Sequence, residues 1–279
     1  DLRKALVSLA GAENPLWANV FRHRFGGDGA LAGHAVGNLV LAGLFEVLHD
    51  PIAGLDAACR LLGVRGRVLP MCAQPLDIEA DVVGLDADLD AVRRIRGQVA
   101  VATTPGTVLR IRLHGSGHVD GSGSVDGTGD HAKPVACQEA VDAVRAADVV
   151  LLGPGSWFTS VLPHLLVPAL RDALLATTAR KIVVLNLVPQ PGETTGFAPH
   201  RYLDVLYEHA PELRVDTVIA DTDSVGEPER LRAAADILGA TVLLDSVAMA
   251  DGATDGADRH DPVALAASLA KALAQSRRT

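Results

Sequence analysis

The residues best suited to bind an anion in this sequence of 279 residues follow a short apolar segment near its middle. The segment reads Gly153-Pro154-Gly155-Ser156-Trp157-Phe158-Thr159-Ser160. Glycines let the backbone approach a ligand closely, and a helix start after the segment would offer free N–H groups and a positive dipole end. We therefore predict a phosphate cradle made by Gly153, Gly155, Ser156, Thr159 and Ser160. The alternative is a tight strand-to-helix turn, because the segment matches neither the dinucleotide fingerprint nor the P-loop.

Two further polar segments follow apolar strands. Asn186 begins a proline-rich loop that ends at Gly196, and its carboxamide can pair with a base or a sugar edge. The alternative there is a rigid proline turn that Asn186 caps, with Glu193 only solvated. Asp221 and Asp223, after a later strand, could hold Mg²⁺ through water, but an Asx-type turn is the favoured interpretation.

A fourth candidate lies near the start of the sequence, in the segment Gly33-His34-Ala35-Val36-Gly37-Asn38. It precedes a predicted helix, whose first N–H groups can bind an anion. Gly37 would allow close approach, and His34 and Asn38 can donate hydrogen bonds. From the pattern alone, a capped helix start with a satisfied histidine is favoured.

The remaining sequence shows no nucleophile motif. It contains no G-x-S-x-G, no H-E-x-x-H and no cysteine with a local histidine partner. The 34 acidic residues outnumber the 25 basic ones, which argues against a nucleic-acid partner. The cysteines form no CxxC pair and indicate reduced thiols in the cytoplasm. The apolar run 149–170 is long enough to span a membrane, but its glycines and prolines would break a helix, so no span is predicted.

The elements that must position these residues follow a clear order. Residues 1–63 read as helical, with a helix over 36–48 that is buried on most sides. Residues 65–113 read as β-rich, with strands at 65–72, 76–84 and 98–115, and a short helix over 88–96. From residue 135 onward, apolar strands alternate with helices, which predicts an α/β fold with a mostly parallel sheet covered by helices on both faces.

Between these regions, residues 114–133 are rich in Gly, Ser and Asp, which predicts a flexible loop. A metal site is the alternative, with ligands among His114, His118, Asp120, Asp126 and His131. A mobile tip is the favoured interpretation, because structural metal sites need rigidly held ligands.

Four segments together resemble the gluconeogenesis-factor (YvcK-like) family, within the CofD-like superfamily of 2-phospho-L-lactate transferases. They are GHAVGNLVLAGL, VRGRVLP, ADVVLLGPGSWFTSVLPHLLVP and NLVPQPGETTGF. The resemblance extends from Asp1 to about Ser246, and VRGRVLP with the intact PQPGET is closer to the YvcK-like branch. It implies a Rossmann-like fold in one domain over residues 1–279.

For function, the resemblance implies a cytoplasmic protein that binds UDP-sugars such as UDP-N-acetylglucosamine. Such proteins support cell-wall synthesis and cell shape on gluconeogenic carbon, and turnover is not expected of them. The alternative is a transferase that uses Mg²⁺ to move a phospholactyl group from a nucleotide-activated donor to the deazaflavin Fo. A homodimer is plausible in either case.

The resemblance also assigns site residues. The GPGS segment would meet phosphates, and Asn38 and Asn186 would line the same crevice. The PQPGET loop would contact the nucleoside or sugar through Gln190, Gly192, Glu193 and Thr194. Family members begin with a strand and a Gly-rich loop, followed by a Gly/Asp/Ser-rich segment that leads into the Asp-Leu-Arg found here. We expect these segments to be missing at the front of this chain, with Asp1 as the one remnant of any metal-holding aspartates.

Overall fold

The computed structural model describes residues 2–10, 14–72, 74–86, 88–115, 134–249 and 259–275. These residues divide into two compact units. The first comprises the described part of Asp1–Ala73 together with Cys137–Ala140, and the second comprises that of Gln74–Ala136 and Val141–Thr279. The prediction of one domain over residues 1–279 stays a prediction.

The first unit is helical, as predicted. Its helices are α1 (Leu2–Leu9), α2 (Pro15–Arg22), α3 (Val36–Leu48) and α4 (Pro51–Leu62). Leu6, Phe21, Leu55 and Leu62 are fully buried among them. The predicted burial of α3 on most sides is wrong, since only Gly37 and Leu41 are buried along it. An apolar composition does not distinguish a central helix from one packed on a single side.

The second unit contains a four-stranded parallel sheet. Its strands are β4 (Val149–Leu152), β5 (Arg180–Val184), β6 (Thr217–Asp221) and β7 (Thr241–Asp245), in the order β4-β5-β6-β7. Helices α7 (Pro168–Ala176), α8 (Pro199–His209), α9 (Pro228–Ile237) and α10 (Pro262–Ala274) accompany these strands. The predicted α/β class is therefore confirmed.

Both faces of this sheet are covered, as the unbroken apolar strands require. Val183 and Val218 belong to the core that α8 and α9 cover. Ile182 and Ile219, their neighbours in sequence, belong to the core that α10 covers. Because successive strand residues point to opposite faces, one strand supplies both layers.

The second unit also contains an antiparallel sheet, which is the predicted β-rich region. It consists of β1 (Leu76–Val83), β2 (Arg93–Arg96) and β3 (Thr107–Gly115) in the order β2-β1-β3, with helix α5 (Gln98–Ala102). Three local predictions are wrong: residues 93–96 are a strand instead of part of a helix, 98–102 are a helix instead of a strand, and 65–72 form no strand. Helix α6 (Gln138–Ala146) precedes β4.

One face of the antiparallel sheet is charged. Arg94 on β2 places its Nε 3.2 Å from both Glu79 Oε1 and Asp81 Oδ1 on β1. Arg112 on β3 donates to Asp81 Oδ2 at 2.7 Å, and this hydrogen bond holds the pKa of Asp81 below its usual value. The alternate residues of β1 are apolar and buried, so the strand separates a charged face from a core face.

Among the described residues, no single helix is long and apolar enough to cross a membrane. By length and composition only, one bent pair of segments passes that test, with an angle of 81° between Trp157–Leu166 and Pro168–Ala176. Most of the predicted flexible loop, with His118, Asp120, Asp126 and His131, lies outside the described residues. His114 and Gly115 belong to β3.

Candidate functional site

The predicted phosphate cradle directly follows β4, and its two glycines differ in what surrounds them. Gly153 has a φ of +77°, and a Cβ there would lie 2.7 Å from the carbonyl oxygen of Val184 at the end of β5. Gly155 has a φ of +140°, and a Cβ there would meet nothing within 4 Å. Gly153 therefore lets the loop lie against the neighbouring strand, whereas Gly155 borders open space.

The helix expected after the cradle is interrupted. Trp157–Val161 forms a π-helical turn and Leu162–Leu166 a 3₁₀ turn. Helix α7 begins at Pro168. The sequence predicts this restart of the helix, because the residue before a proline is kept out of the helical conformation. Val167 has the extended conformation that this rule requires. A single five-residue turn has little macrodipole, so an anion at Ser156 would depend on individual donors.

Asn186, two residues beyond β5, holds the cradle in place. Its Oδ1 accepts the Gly155 N–H at 2.8 Å, and its Nδ2 donates to the Gly155 carbonyl oxygen at 2.9 Å. The sequence predicts that this carboxamide pairs with a base or a sugar, but in the structure its partner is the loop backbone. Asn186 is thus positioned to fix the shape of the cradle.

Ser156 connects the cradle to the proline-rich loop. Its hydroxyl donates to Glu193 Oε1 at 2.6 Å and accepts the Thr159 N–H at 3.3 Å. The Thr159 hydroxyl is also in contact with Ser156 Oγ. Glu193 is only 3% exposed. The hydroxyl proton of Ser156 is therefore committed to a buried carboxylate rather than to solvent.

The proline-rich loop is built by its own backbone and by Thr194. The Thr194 hydroxyl accepts the Gln190 N–H at 2.8 Å and lies 3.0 Å from the Tyr202 hydroxyl on α8. Gly192 has a φ of +81°, and a Cβ there would lie 2.8 Å from the Ala102 carbonyl oxygen. Gly192 and Thr194 thus shape the loop.

Three buried polar atoms in these two loops have no hydrogen-bond partner: Trp157 Nε1, Gln190 Oε1 and Glu193 Oε2. Buried polar atoms are nearly always paired, so each such atom calls for an explanation. All three come from the two segments that the sequence singles out. These two segments follow β4 and β5, and ligands of parallel sheets bind beyond the carboxyl ends of the strands.

Tyr202 is a member of this network that no sequence pattern indicates. Burial raises the pKa of Tyr202, while hydrogen bonds with Thr194 and Asn186 act in the opposite direction. Its ring packs edge-on against Trp157, with centroids 5.2 Å apart. Tyr202 lies on a helix face with no local motif, so only the tertiary structure reveals its role.

Ser160 takes a different position from Ser156. Together with Gly153, Pro154 and His164 it lines a cavity of about 260 Å³, whose other walls are apolar side chains. The predicted cradle residues therefore lie in two different surroundings. Gly153 and Ser160 border this cavity. Ser156 and Thr159 contact each other, and Glu193 lies beside them.

The candidate near the start of the sequence belongs to the first unit. His34 and Asn38 are exposed, and Ala35, which precedes α3, makes no side-chain cap. A Cβ on Gly37 would lie 2.8 Å from both the ring and the carbonyl oxygen of Phe21. The close approach that Gly37 permits is therefore made by α2, and the ligand role of His34 and Asn38 stays a prediction.

Asp221 at the end of β6 forms the favoured Asx-type turn, accepting from the backbone N–H of Asp223 at 3.1 Å. Its other oxygen accepts from Val247 and Ala248. Burial alone would raise the pKa of Asp221, but these N–H groups outweigh it and lower the pKa.

No cluster of three or more His, Cys, Asp or Glu residues suited to a metal occurs in the part of the chain that the structure describes, and Asp1 lies outside that part.

Comparisons with known proteins identify the family of this chain. Residues 1–252 match the family model described as 2-phospho-L-lactate transferase CofD. A Mycobacterium tuberculosis protein named "Putative gluconeogenesis factor" is 54% identical over 275 residues, which cover 96% of this chain and 74% of that protein. The gluconeogenesis factor of Halalkalibacterium halodurans is 31% identical over 227 residues, which cover 81% of this chain and 63% of that protein.

A solved structure extends the match to three dimensions. The crystal structure of a UPF0052 family member from Bacillus halodurans superposes with a TM-score of 0.77 at 28% identity. The match covers 97% of this chain and 81% of that one. This chain therefore belongs to the gluconeogenesis-factor (YvcK-like) family, within the CofD-like superfamily.

Proposed function

We propose that this protein is a cytoplasmic regulator that binds a nucleotide sugar, such as UDP-N-acetylglucosamine. In this role it supports cell-wall synthesis and cell shape during growth on gluconeogenic carbon. The ligand binds without obligatory turnover, and nucleic acid is not a partner. A homodimer is compatible with this role.

The observation that carries the proposal is the open space at Gly155 in a loop that Asn186 holds rigidly. A diphosphate approaching there meets a backbone with no side chain in the way. Ligands of parallel α/β sheets bind beyond the carboxyl ends of the strands, and Gly155 lies beyond β4 next to the end of β5. The names of the relatives, gluconeogenesis factors, support the proposed role in growth on gluconeogenic carbon.

The neighbouring loop supplies the polar groups that a nucleoside or sugar needs. Gln190 Oε1 and Glu193 Oε2 are buried acceptors without partners, and Trp157 Nε1 is a buried donor without one. Sugar hydroxyls and base edges can satisfy all three. In this arrangement, the cradle binds the diphosphate, and Gln190 and Glu193 select the group attached to it.

The test is a ligand panel measured by thermal shift and calorimetry. UDP-N-acetylglucosamine at about 100 times its dissociation constant should stabilise the protein by about 2.7 kcal/mol. UDP alone should bind more weakly than the sugar conjugate, because it lacks the group that reaches Gln190 and Glu193. A panel in which no UDP-sugar changes the melting temperature contradicts the proposal.

The second candidate is a transferase acting on a nucleoside-diphosphate-linked phospholactyl donor, with Fo as acceptor and Mg²⁺ as cofactor. The match to a family model named for that enzyme favours it. Positioning and a metal can carry such a reaction without a protein nucleophile. A melting shift with GDP and Fo, in the absence of one with UDP-sugars, would favour the transferase.

A further inference from the structure

The hydroxyl of Tyr202 on α8 lies between the cradle and the PQPGET loop, residues 189–194. It is 3.0 Å from the Thr194 hydroxyl in that loop. Its second hydrogen-bond partner is the side chain of Asn186, which holds the cradle. A tyrosine hydroxyl has one proton and two lone pairs, so it can serve both partners at once. Because Tyr202 is only 2% exposed, solvent does not compete for these hydrogen bonds.

Each partner of Tyr202 is bonded in turn to a loop backbone. The Asn186 carboxamide makes two hydrogen bonds to Gly155, and these use only one of its two amide protons. The other amide proton is available for Tyr202. The Thr194 hydroxyl accepts the Gln190 N–H at 2.8 Å. A continuous chain of hydrogen bonds therefore joins the Gly155 backbone to the Gln190 backbone through three side chains.

The ring of Tyr202 connects the same two regions by packing. Its centroid lies 5.2 Å from that of Trp157, in the π-helical turn after the cradle. It lies 5.4 Å from that of Phe197, three residues beyond the PQPGET loop. Both pairs are edge-on, and all three rings are buried. A close-packed interior transmits displacements, so a shift of either loop is felt at Tyr202.

A second connection between the cradle and the PQPGET loop is direct. Ser156 Oγ donates to Glu193 Oε1 at 2.6 Å. This contact ends at the Glu193 side chain, whereas the chain through Tyr202 reaches the Gln190 N–H. The two connections are therefore separable by mutation, because Tyr202→Phe removes a hydroxyl from one and leaves the other in place.

We propose that Tyr202 is a positioning residue that couples the two halves of the nucleotide-sugar site. An anion bound at the cradle fixes Asn186, and the chain through Tyr202 then orders the PQPGET loop. The loop is thereby prepared for the nucleoside or sugar portion of the same ligand, and less ordering remains to oppose its binding. This coupling rests on the proposed function for the identity of the ligand.

The first test needs no ligand. Asn186→Ala and Thr194→Val each remove one partner of the Tyr202 hydroxyl, and urea denaturation gives the unfolding equilibrium constant of each variant and of the double variant. In the wild-type background, the double variant should depart from the product of the two single effects by at least about fivefold. In the Tyr202→Phe background, the departure should be less than about twofold. Independent effects in the wild-type background, or an equal departure in both backgrounds, overturn the proposal.

The second test uses pyrophosphate, which can occupy the cradle but has no nucleoside or sugar to offer the PQPGET loop. Amide hydrogen exchange, measured by NMR, follows the Gly155 and Gln190 N–H groups in the same sample. In wild-type protein, saturating pyrophosphate should slow exchange at both positions at least about fivefold. In Tyr202→Phe, the slowing at Gly155 should remain, and that at Gln190 should fall below about twofold. A purely structural Tyr202 would lower stability without changing this response at Gln190.

The matched control is Tyr207→Phe, because Tyr207 lies on the same helix and is 40% exposed. Its exchange should respond to pyrophosphate as that of wild-type protein does. Slowing at Gly155 with none at Gln190 in wild-type protein overturns the coupling even if Tyr202→Phe fails to fold, and it leaves the proposed function standing. The same holds for equal slowing at Gln190 in wild-type protein and Tyr202→Phe. No slowing at Gly155 with either pyrophosphate or UDP-N-acetylglucosamine contradicts the proposed function instead, and the urea experiment then decides the coupling.

Discussion

Two segments of this protein look alike in sequence and differ in structure. Gly33–Asn38 and Gly153–Ser160 both combine glycines with polar side chains before a helical turn. At Gly37, the ring and carbonyl oxygen of Phe21 already occupy the space that a Cβ would need. At Gly155, the corresponding space is empty, and Asn186 holds the backbone around it.

The difference shows that a glycine has two separate uses. One is to let another part of the protein pack closely, and the other is to leave room for a molecule that is not part of the protein. Both segments combine glycines with polar residues, so this composition does not separate the two uses. What distinguishes them is the neighbour across the gap, which belongs to another element of the fold.

The largest expected effect is on ligand binding, from Gly155→Val. The new side chain fills the space over the cradle, so the affinity for a nucleotide sugar should fall at least about 100-fold, or about 2.7 kcal/mol. Calorimetry on the folded variant measures this. Gly239→Val is the control, because Gly239 also has a positive φ of +77° but follows α9. If Gly155→Val binds the nucleotide sugar as tightly as the control does, the space at Gly155 is not used by a ligand. The proposed difference between Gly155 and Gly37 is then refuted.

The next effect is on stability, from Gly37→Ala. Its Cβ meets a backbone oxygen that cannot move aside, so the free energy of unfolding should fall by about 3 kcal/mol. Gly43→Ala on the same helix meets nothing within 4 Å and should raise it by about 0.5–1 kcal/mol through helix propensity. Urea denaturation measures both variants. Equal stabilisation by the two would show that Phe21 does not restrict Gly37.

Asn186→Ala should have a smaller effect that sharpens the comparison. It removes two hydrogen bonds to Gly155, which together contribute about 2 kcal/mol to the free energy of unfolding. Because Asn186 positions the loop, we expect the variant to weaken binding of inorganic phosphate as well as of UDP-sugars. Phosphate affinity equal to that of wild type would instead support the sequence-based role in base or sugar recognition.

The smallest effect on stability is expected from His34→Ala and Asn38→Ala. Both side chains are exposed, so the free energy of unfolding should change by no more than about 0.5 kcal/mol. If these residues contact the ligand, as the sequence analysis predicts for His34 and the family resemblance implies for Asn38, nucleotide affinity should fall up to about tenfold while stability is kept. Unchanged nucleotide affinity would show that the segment has a structural role only, unlike the cradle.

Much of the fold follows from local rules that the structure confirms. Gly63 ends α4 with a φ of +64°, Asp261 caps α10 through the Val263 and Ala264 N–H groups, and α7 restarts at Pro168. These rules involve neighbouring residues, so the sequence contains all the information they need. The two segments whose secondary structure was predicted wrongly, 93–96 and 98–102, are short. Pairing with β1 makes the first of them a strand.

The candidate site is predictable only in part, for the same reason. The position of Asn186 after a strand is visible in the sequence, but its bonds to Gly155 join residues 31 positions apart. The pairing of Ser156 with Glu193 spans 37 positions. No motif encodes such a partner choice, because it arises where two loops of neighbouring parallel strands meet.

The arginines of the antiparallel sheet have a consequence for self-association. Strand β2 lies at the edge of that sheet, and three of its four residues are Arg93, Arg94 and Arg96. An exposed edge strand is a template for pairing with a second copy. Here Arg93, Arg94 and Arg96 form ion pairs with Asp86, Asp81 and Asp77 of the same chain, and pairing along β2 would remove water from these charged groups. We therefore expect any homodimer to form away from β2.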